Sequence, residues 1–256
     1  MSKDNSFVSN DDFILERDID NILTLKSLNH KDWLPFFIDF TSNDIIRRKD
    51  QMGMNQDIVK AMGIKKDFKP KILDTTAGLG RDSFLLASLG CEVIMLERNP
   101  IIFELLFDDI CRAKNNEELS TIVNKMNLIN KDSIEFLNEG AGFFDAIYID
   151  PMFPKSKKSR LVKKDMQVFR EIVGDDLDSG NLLKLAISKN VSRVVVKRML
   201  KSEYIANLKP NFEIKSKTIR FDVYCPKLNK CGVWLGFFVF LIKTYLLYQI
   251  NIYKIW

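Results

Sequence analysis

The chain has 256 residues, 46% hydrophobic and 29% charged, which is enough apolar material to bury one large core and too much for disorder as the main state. Its formal charge of +5 permits an anionic partner without demanding one. One histidine, His30, and four cysteines without a Cys-x-x-Cys pair argue against a histidine-based triad, a zinc centre or a disulfide framework, and Cys91, Cys111, Cys225 and Cys231 fit a reducing, cytosolic setting.

Residues 1–12 are polar and acidic, unlike the basic and apolar regions of a secretory signal. The stretch 1–68 reads as an N-terminal appendage, with a strand or buried ribbon at 33–40 (WLPFFIDF) and a helix over 54–62 closed by Gly63 as C-cap. From residue 69 to 226, apolar strand candidates alternate with helical segments. Strands are expected at 71–74, 92–97, 127–130, 146–150 and 193–196, and helices at 83–89, 100–114, 134–138 and around 182–188. This alternation predicts an α/β fold with a mostly parallel sheet covered by helices. Two late segments, 211–216 and 220–224, are short, close together and rich in β-favouring residues, as for an antiparallel hairpin added at the sheet edge. The tail 227–256 is strongly apolar (GVWLGFFVFLI over 232–242), but Lys243 interrupts it near the middle of any window of roughly 20 residues that could span a membrane. A helix packed on the domain, a membrane tether and a functionless extension all remain open for it.

In an open parallel sheet, ligands bind beyond the carboxyl ends of the strands. The first such place is Asp74-Thr75-Thr76-Ala77-Gly78-Leu79-Gly80-Arg81-Asp82, where Gly78 and Gly80 permit a tight turn and close approach of the backbone to a ligand. Glu97 ends the next strand about 20 residues on, the spacing at which a carboxylate accepts hydrogen bonds from ribose hydroxyls. Ser83 stands where a dinucleotide fingerprint requires a third glycine, which weakens a hydride-transfer reading. Asp132 and Ser133 follow the third strand, either lining a cofactor pocket near an adenine amino group or capping a helix. The fourth place is Asp150-Pro151-Met152-Phe153-Pro154. Asp150 and the Pro151 carbonyl can hold the two N–H groups of an exocyclic amine and direct its lone pair at a methyl donor, while Phe153 can stack on the base. No metal is required by that chemistry.

These motifs resemble the bacterial ribosomal RNA small-subunit methyltransferase J family. The resemblance rests on LDTTAGLGR over 73–81 with Asp82, MLERNP over 95–100, YIDPMFP over 148–154, LVKKDM over 161–166, VVVKR over 194–198 and RFDVY over 220–224, and it covers residues 34–225. It implies a Rossmann-like class I fold with a seven-stranded sheet, S-adenosyl-L-methionine as cofactor, and methylation of the exocyclic N2 of a guanosine in 16S rRNA, free or in the small ribosomal subunit. Cofactor contacts then fall on Arg81, Asp82, Glu97, Arg98, Asp132, Ser133 and Asp150, beside the turn residues Asp74, Gly78 and Gly80. The family's glycine-rich stretch after its paired arginines is replaced here by Asp50-Gln51-Met52-Gly53-Met54, next to Arg47, Arg48 and Lys49. Lys155, Lys157, Lys158, Arg160, Lys163 and Lys164 crowd in directly after the Asp150 motif, where an RNA backbone entering the site would pass, with Lys197 and Arg198 at the end of the next strand as further phosphate contacts. A non-catalytic ribosome-assembly factor and an amino-methyltransferase acting on DNA adenine or protein are the alternatives.

Overall fold

The computed structural model describes residues 9–10, 12–30, 33–140, 142–152, 172–173 and 176–226. Phe153, the basic cluster 155–164 and the apolar tail 227–256 lie outside the described residues. Among the described residues, no helix is long and apolar enough to cross a membrane.

Near the N-terminus, β1 (Ser9–Asn10), β2 (Phe13–Arg17) and β3 (Leu23–Ser27) form a three-stranded antiparallel sheet. Sequence reading missed this sheet because the strands are short and the pattern is diluted by charge. What was expected as a strand or ribbon at 33–40 makes only one bridge, Leu25 to Phe36. It nevertheless carries Phe36, Ile38 and Phe40 into the core. Helices α1 (Asn43–Asp50) and α2 (Asp57–Met62) follow. Gly63 caps α2 in the left-handed conformation, φ 73°, as the sequence predicts.

The main sheet then builds from β4 (Ile72–Asp74), α3 (Arg81–Ser88), β5 (Val93–Glu97), α4 (Pro100–Lys114), α5 (Glu117–Val123), β6 (Met126–Asn130), α6 (Ser133–Asn138), β7 (Ala146–Ile149), α7 (Ser179–Ser188), β8 (Arg193–Met199), β9 (Phe212–Lys215) and β10 (Ile219–Tyr224). Its seven strands run in the order β6-β5-β4-β7-β8-β10-β9. The first five strands in that order pair in parallel, while β10 pairs antiparallel with both β8 and β9. Among the described residues, α1 and α5 are α-helices that the sequence reading did not anticipate.

Strand alternation divides the core into two layers. Ile72, Met95, Tyr148 and Val195 face α3, α4 and the N-terminal sheet, in a continuous cluster running from Phe13 to Cys225. Leu73, Leu96, Ile147, Val194 and Val196 face the other way, with Leu182, Leu183 and Ala186 of α7 and Phe136 of α6. The N-terminal strands therefore share their core with the main sheet. Asp108 of α4 ties them down, accepting from Arg17 (2.7 Å) and Arg112 (2.9 Å), with the Leu23 N–H at 3.3 Å.

From β4 the chain winds outward through β5 to β6, then returns to place β7 on the opposite side of β4. The order of winding thus reverses between β4 and β7, and a crevice opens at their carboxyl ends.

Candidate active site

That crevice is a cleft of about 470 Å³, lined by the turn Asp74 to Leu79, by Arg81, Asp82, Glu97, Arg98, Asp132 and Ser133, and by Asp150, Pro151 and Met152. Tyr148, Asp176, Lys197 and Arg48 complete the lining that matters chemically. Every described residue proposed as a cofactor contact except Gly80 lines this one space, and Gly80 starts α3 directly behind the turn.

The turn is built by glycine conformations and backbone bonds. Gly78 and Gly80 have φ of 51° and 67°, the left-handed region that glycine enters without a Cβ clash. A Cβ at Gly80 would lie 2.7 Å from Leu106 Cδ1. The Gly78 N–H donates to Glu97 Oε2 (3.0 Å) and the Asn99 N–H to Glu97 Oε1 (2.8 Å). Glu97 thereby fixes the turn from the neighbouring strand. Burial pushes its carboxyl above the ordinary carboxylate value, against those two donors. Asp74, also buried, accepts from the Thr76 N–H (3.0 Å) and the Ser83 hydroxyl (2.5 Å). Desolvation outweighs both bonds and pushes its pKa up to about 7. Ser83, which breaks the dinucleotide fingerprint, thus has a structural task as the partner of Asp74.

Two threonines, absent from the expected contacts, join the halves of the site. Thr75 donates to the Tyr148 carbonyl from its N–H (3.0 Å) and its hydroxyl (2.9 Å). The Asp150 N–H donates to Thr76 Oγ1 (2.7 Å). The ends of β4 and β7 are therefore bonded beyond the sheet ladder. The Met152 N–H donates to Asp176 Oδ2 (2.6 Å), and Asp176 Oδ1 accepts from Arg98 (2.5 Å). Arg98 also donates to Asp178 (2.6 Å) and lies 3.6 Å from Asp132. Sequence reading missed Asp176. The acidic run before α7 resembles a helix cap, and its partners lie far away in the chain. Asp132 does cap α6, accepting from Ile134 and Glu135, and Ser133 donates to the Thr75 carbonyl (2.6 Å). Both serve as structural anchors while lining the cleft.

Period-two alternation puts Asp74, Tyr148, Asp150 and Lys197 on one face of the sheet, beneath Asp82 of α3. Lys197 Nζ donates to Asp82 Oδ2 (2.7 Å) and to Asp150 Oδ2 (2.8 Å), and the Tyr148 hydroxyl donates to the same Asp82 oxygen (2.7 Å). Burial would raise the Asp82 pKa, but Lys197 and Tyr148 outweigh it and hold Asp82 below the ordinary value. Asp150 is shifted the other way, by desolvation with the charges of Asp82 and Asp176, despite Lys197. The Lys197 ammonium is itself stabilised, its pKa raised because the two carboxylates overcome its burial.

Lys197 and Arg198, expected together as phosphate contacts, both line the cleft but are engaged differently. Adjacent strand residues point to opposite faces. Lys197 is committed to two carboxylates, and Arg198 is 8% exposed and donates to the Glu203 carbonyl (2.6 Å). Burial and the nearby Arg220 lower the Arg198 pKa.

Comparison with known proteins identifies the family. A family model described as "Putative SAM-dependent methyltransferase" matches residues 5–226. A ribosomal RNA small subunit methyltransferase J from Colwellia psychrerythraea is 48% identical over 188 residues, covering 73% of this chain and 69% of the relative. One from Tolumonas auensis is 44% identical, covering 79% and 82%. A crystal structure of a SAM-dependent methyltransferase from Neisseria gonorrhoeae superposes with a TM-score of 0.65 at 33% identity, covering 80% of this chain and 79% of that one. With its glycine turn, its acidic strand ends and its Asp-Pro-Met turn gathered at one switch point, the chain belongs to the ribosomal RNA small subunit methyltransferase J family of SAM-dependent methyltransferases.

Proposed function

We propose that the protein transfers a methyl group from S-adenosyl-L-methionine to the exocyclic N2 of a guanosine in 16S rRNA, working in the cytoplasm on the free RNA or the small ribosomal subunit. One observation carries the proposal: Asp150 and Pro151 enter the same cleft as the glycine turn, on a backbone held by Thr76 and Asp176. The family relatives named for small-subunit rRNA support the substrate, and the resemblance of the Asp150 motif supports the amine.

The cleft suits the cofactor chemically. Its volume falls within the range of about 300–1,000 Å³ typical of small-molecule sites. Carboxylates at Glu97 and Asp132 suit hydroxyl and ammonium donors, Arg81 suits a carboxylate, and Ile134 and Leu182 offer apolar surface to a purine. When bound, the sulfonium supplies an already activated methyl group.

The protein's own residues then position and dehydrate. Asp150 and the Pro151 carbonyl accept the two amine hydrogens, turning the nitrogen lone pair toward the methyl group, and proximity supplies most of the acceleration. Lys197 takes Asp150 Oδ2, and among the described residues no hydrogen bond reaches Oδ1, so that oxygen can meet the substrate. Phe153 is assigned to stacking on the base and the cluster 155–164 to the RNA backbone, both from the sequence alone.

The test is transfer of labelled methyl groups from S-adenosyl-L-methionine to small-subunit RNA lacking the modification, followed by mapping of the labelled nucleotide. Label confined to N2 of one guanosine is the expected result. Label on adenine, DNA or protein would overturn the substrate, and absence of label on both free RNA and subunits would favour an assembly role.

A further inference from the structure

The proposed reaction uses the Lys197 ammonium only as the partner of Asp150 Oδ2, and the ammonium makes more contacts than that. It sits between two carboxylates, Asp82 on α3 and Asp150 after β7, and Asp74 on β4 feels the charge of both. Lys197 bonds two of them at 2.7 and 2.8 Å, and its side chain is only 26% exposed. Tyr148 donates to Asp82 from below, while Arg48 lines the same space from α1 and Asp176 faces Asp150 from the segment before α7. Phe221 is the cross-strand partner of Lys197 on β10 and adds no charge.

We propose that Lys197 is the positioning residue of the acceptor site: by gripping Asp82 and Asp150 together, it holds the Asp150 carboxylate ionised and oriented to accept from the substrate amine. The proposal rests on the methyl-transfer reading above. Two physical considerations support it. Two carboxylates that share one partner without its charge cannot both stay ionised at low cost, so one would take up a proton and present O–H where an acceptor is needed. In addition, a single ammonium bonded to residues from α3 and from the β7 turn fixes the orientation of Asp150 about its side-chain bonds, which the backbone contact to Thr76 alone leaves open.

The role differs from phosphate binding in what it predicts. Lys197→Met keeps the length of the side chain and removes the charge. Because the Asp150 pKa then rises, the acid limb of the kcat profile should move to higher pH by about one unit or more. At neutral pH kcat should fall at least about tenfold, with KM for RNA changed less than about twofold. Lys197→Arg restores the charge and should return the acid limb toward its wild-type pH even where the rate stays low, since a guanidinium fork replaces a point charge.

A second readout needs neither cofactor nor turnover. Carboxyl carbon NMR titration of the full chain, with Asp150 assigned by its loss in Asp150→Asn, should show Asp150 titrating at higher pH in Lys197→Met than in the wild type. If Lys197→Met fails to fold, Lys197→Gln carries the same two measurements. An unmoved Asp150 titration overturns the inference whatever the enzyme does. So does a uniform drop in kcat with an unmoved acid limb, or an increase confined to KM for RNA. Wild-type protein that methylates no RNA overturns the methyl-transfer reading instead, and the NMR result stands apart from it.

Discussion

At Asp150 the acceptor geometry depends on one side chain whose backbone is independently held, so removing the carboxylate should cost chemistry and leave the fold. Asp150→Ala is expected to lower methyl transfer at least about 100-fold, the scale of losing a group that orients the reacting atom, with an unchanged circular dichroism spectrum. Asp74 carries a different prediction. Its folded pKa of about 7 exceeds the ordinary 3.8, so between those values the folded protein holds a proton that the unfolded chain has released. The resulting stability is full below about pH 4 and is lost as pH rises through 7. Asp109, pushed up to about 7 by burial, acts in the same direction. Asp74→Asn should therefore remove part of the decline in unfolding free energy between those limits, up to about 1.4 kcal/mol per pH unit, as measured by denaturant titration at several pH values. An undiminished slope would place the ionisation elsewhere. Residue roles of this kind were half legible in the sequence. Asp74, Glu97, Asp132 and Asp150 stand out by their positions after strands, but the partners that define their tasks do not. Tyr148 looks like ordinary strand filling, and nothing in the chain announces that Lys197 meets Asp82 across 115 positions.

Among the elements, the start of α3 is the most constrained. Gly80 combines a positive φ with a Cβ direction blocked by Leu106 and Phe40. Gly80→Ala should destabilise the protein by about 1–3 kcal/mol and weaken cofactor binding through the displaced turn, as thermal melts with and without S-adenosyl-L-methionine would report. A melt indistinguishable from wild type would mean that the turn relaxes freely. The strands and helices from β4 onward were readable because each buried strand is a short apolar run and each helix has a recognisable start, such as Asn99 before Pro100. Asn99 accepts from the Ile101 and Ile102 N–H groups as an N-cap. α1 escaped because its mean character is polar and only Ile45 is buried. α5 escaped because Leu119 and Val123 are its only buried residues. The three N-terminal strands escaped because their pairing is settled by packing on α4, a contact between distant parts of the chain.

For the molecule as a whole, two linkages can be measured. The Asp108 hub joins the N-terminal sheet to α4 and is 7% exposed, its pKa held below the ordinary value because Arg112, Arg17 and the Leu23 N–H overcome burial. Asp108→Ala should cost about 1–3 kcal/mol and increase proteolysis near the N-terminus. Unchanged cleavage would show that apolar packing alone holds that sheet. Reversing Lys157, Lys158 and Lys163 together should weaken RNA binding and flatten its dependence on salt while leaving cofactor affinity intact. Equal RNA affinity across a salt series would remove the cluster from the interface. The threonine clamp between β4 and β7 also sets a distance. Adjacent strands lie about 4.8 Å apart, and Thr75 and Thr76 carry that spacing past the ends of the ladder. The glycine turn and the Asp150 turn are thus seated on a ruler whose graduations belong to the backbone.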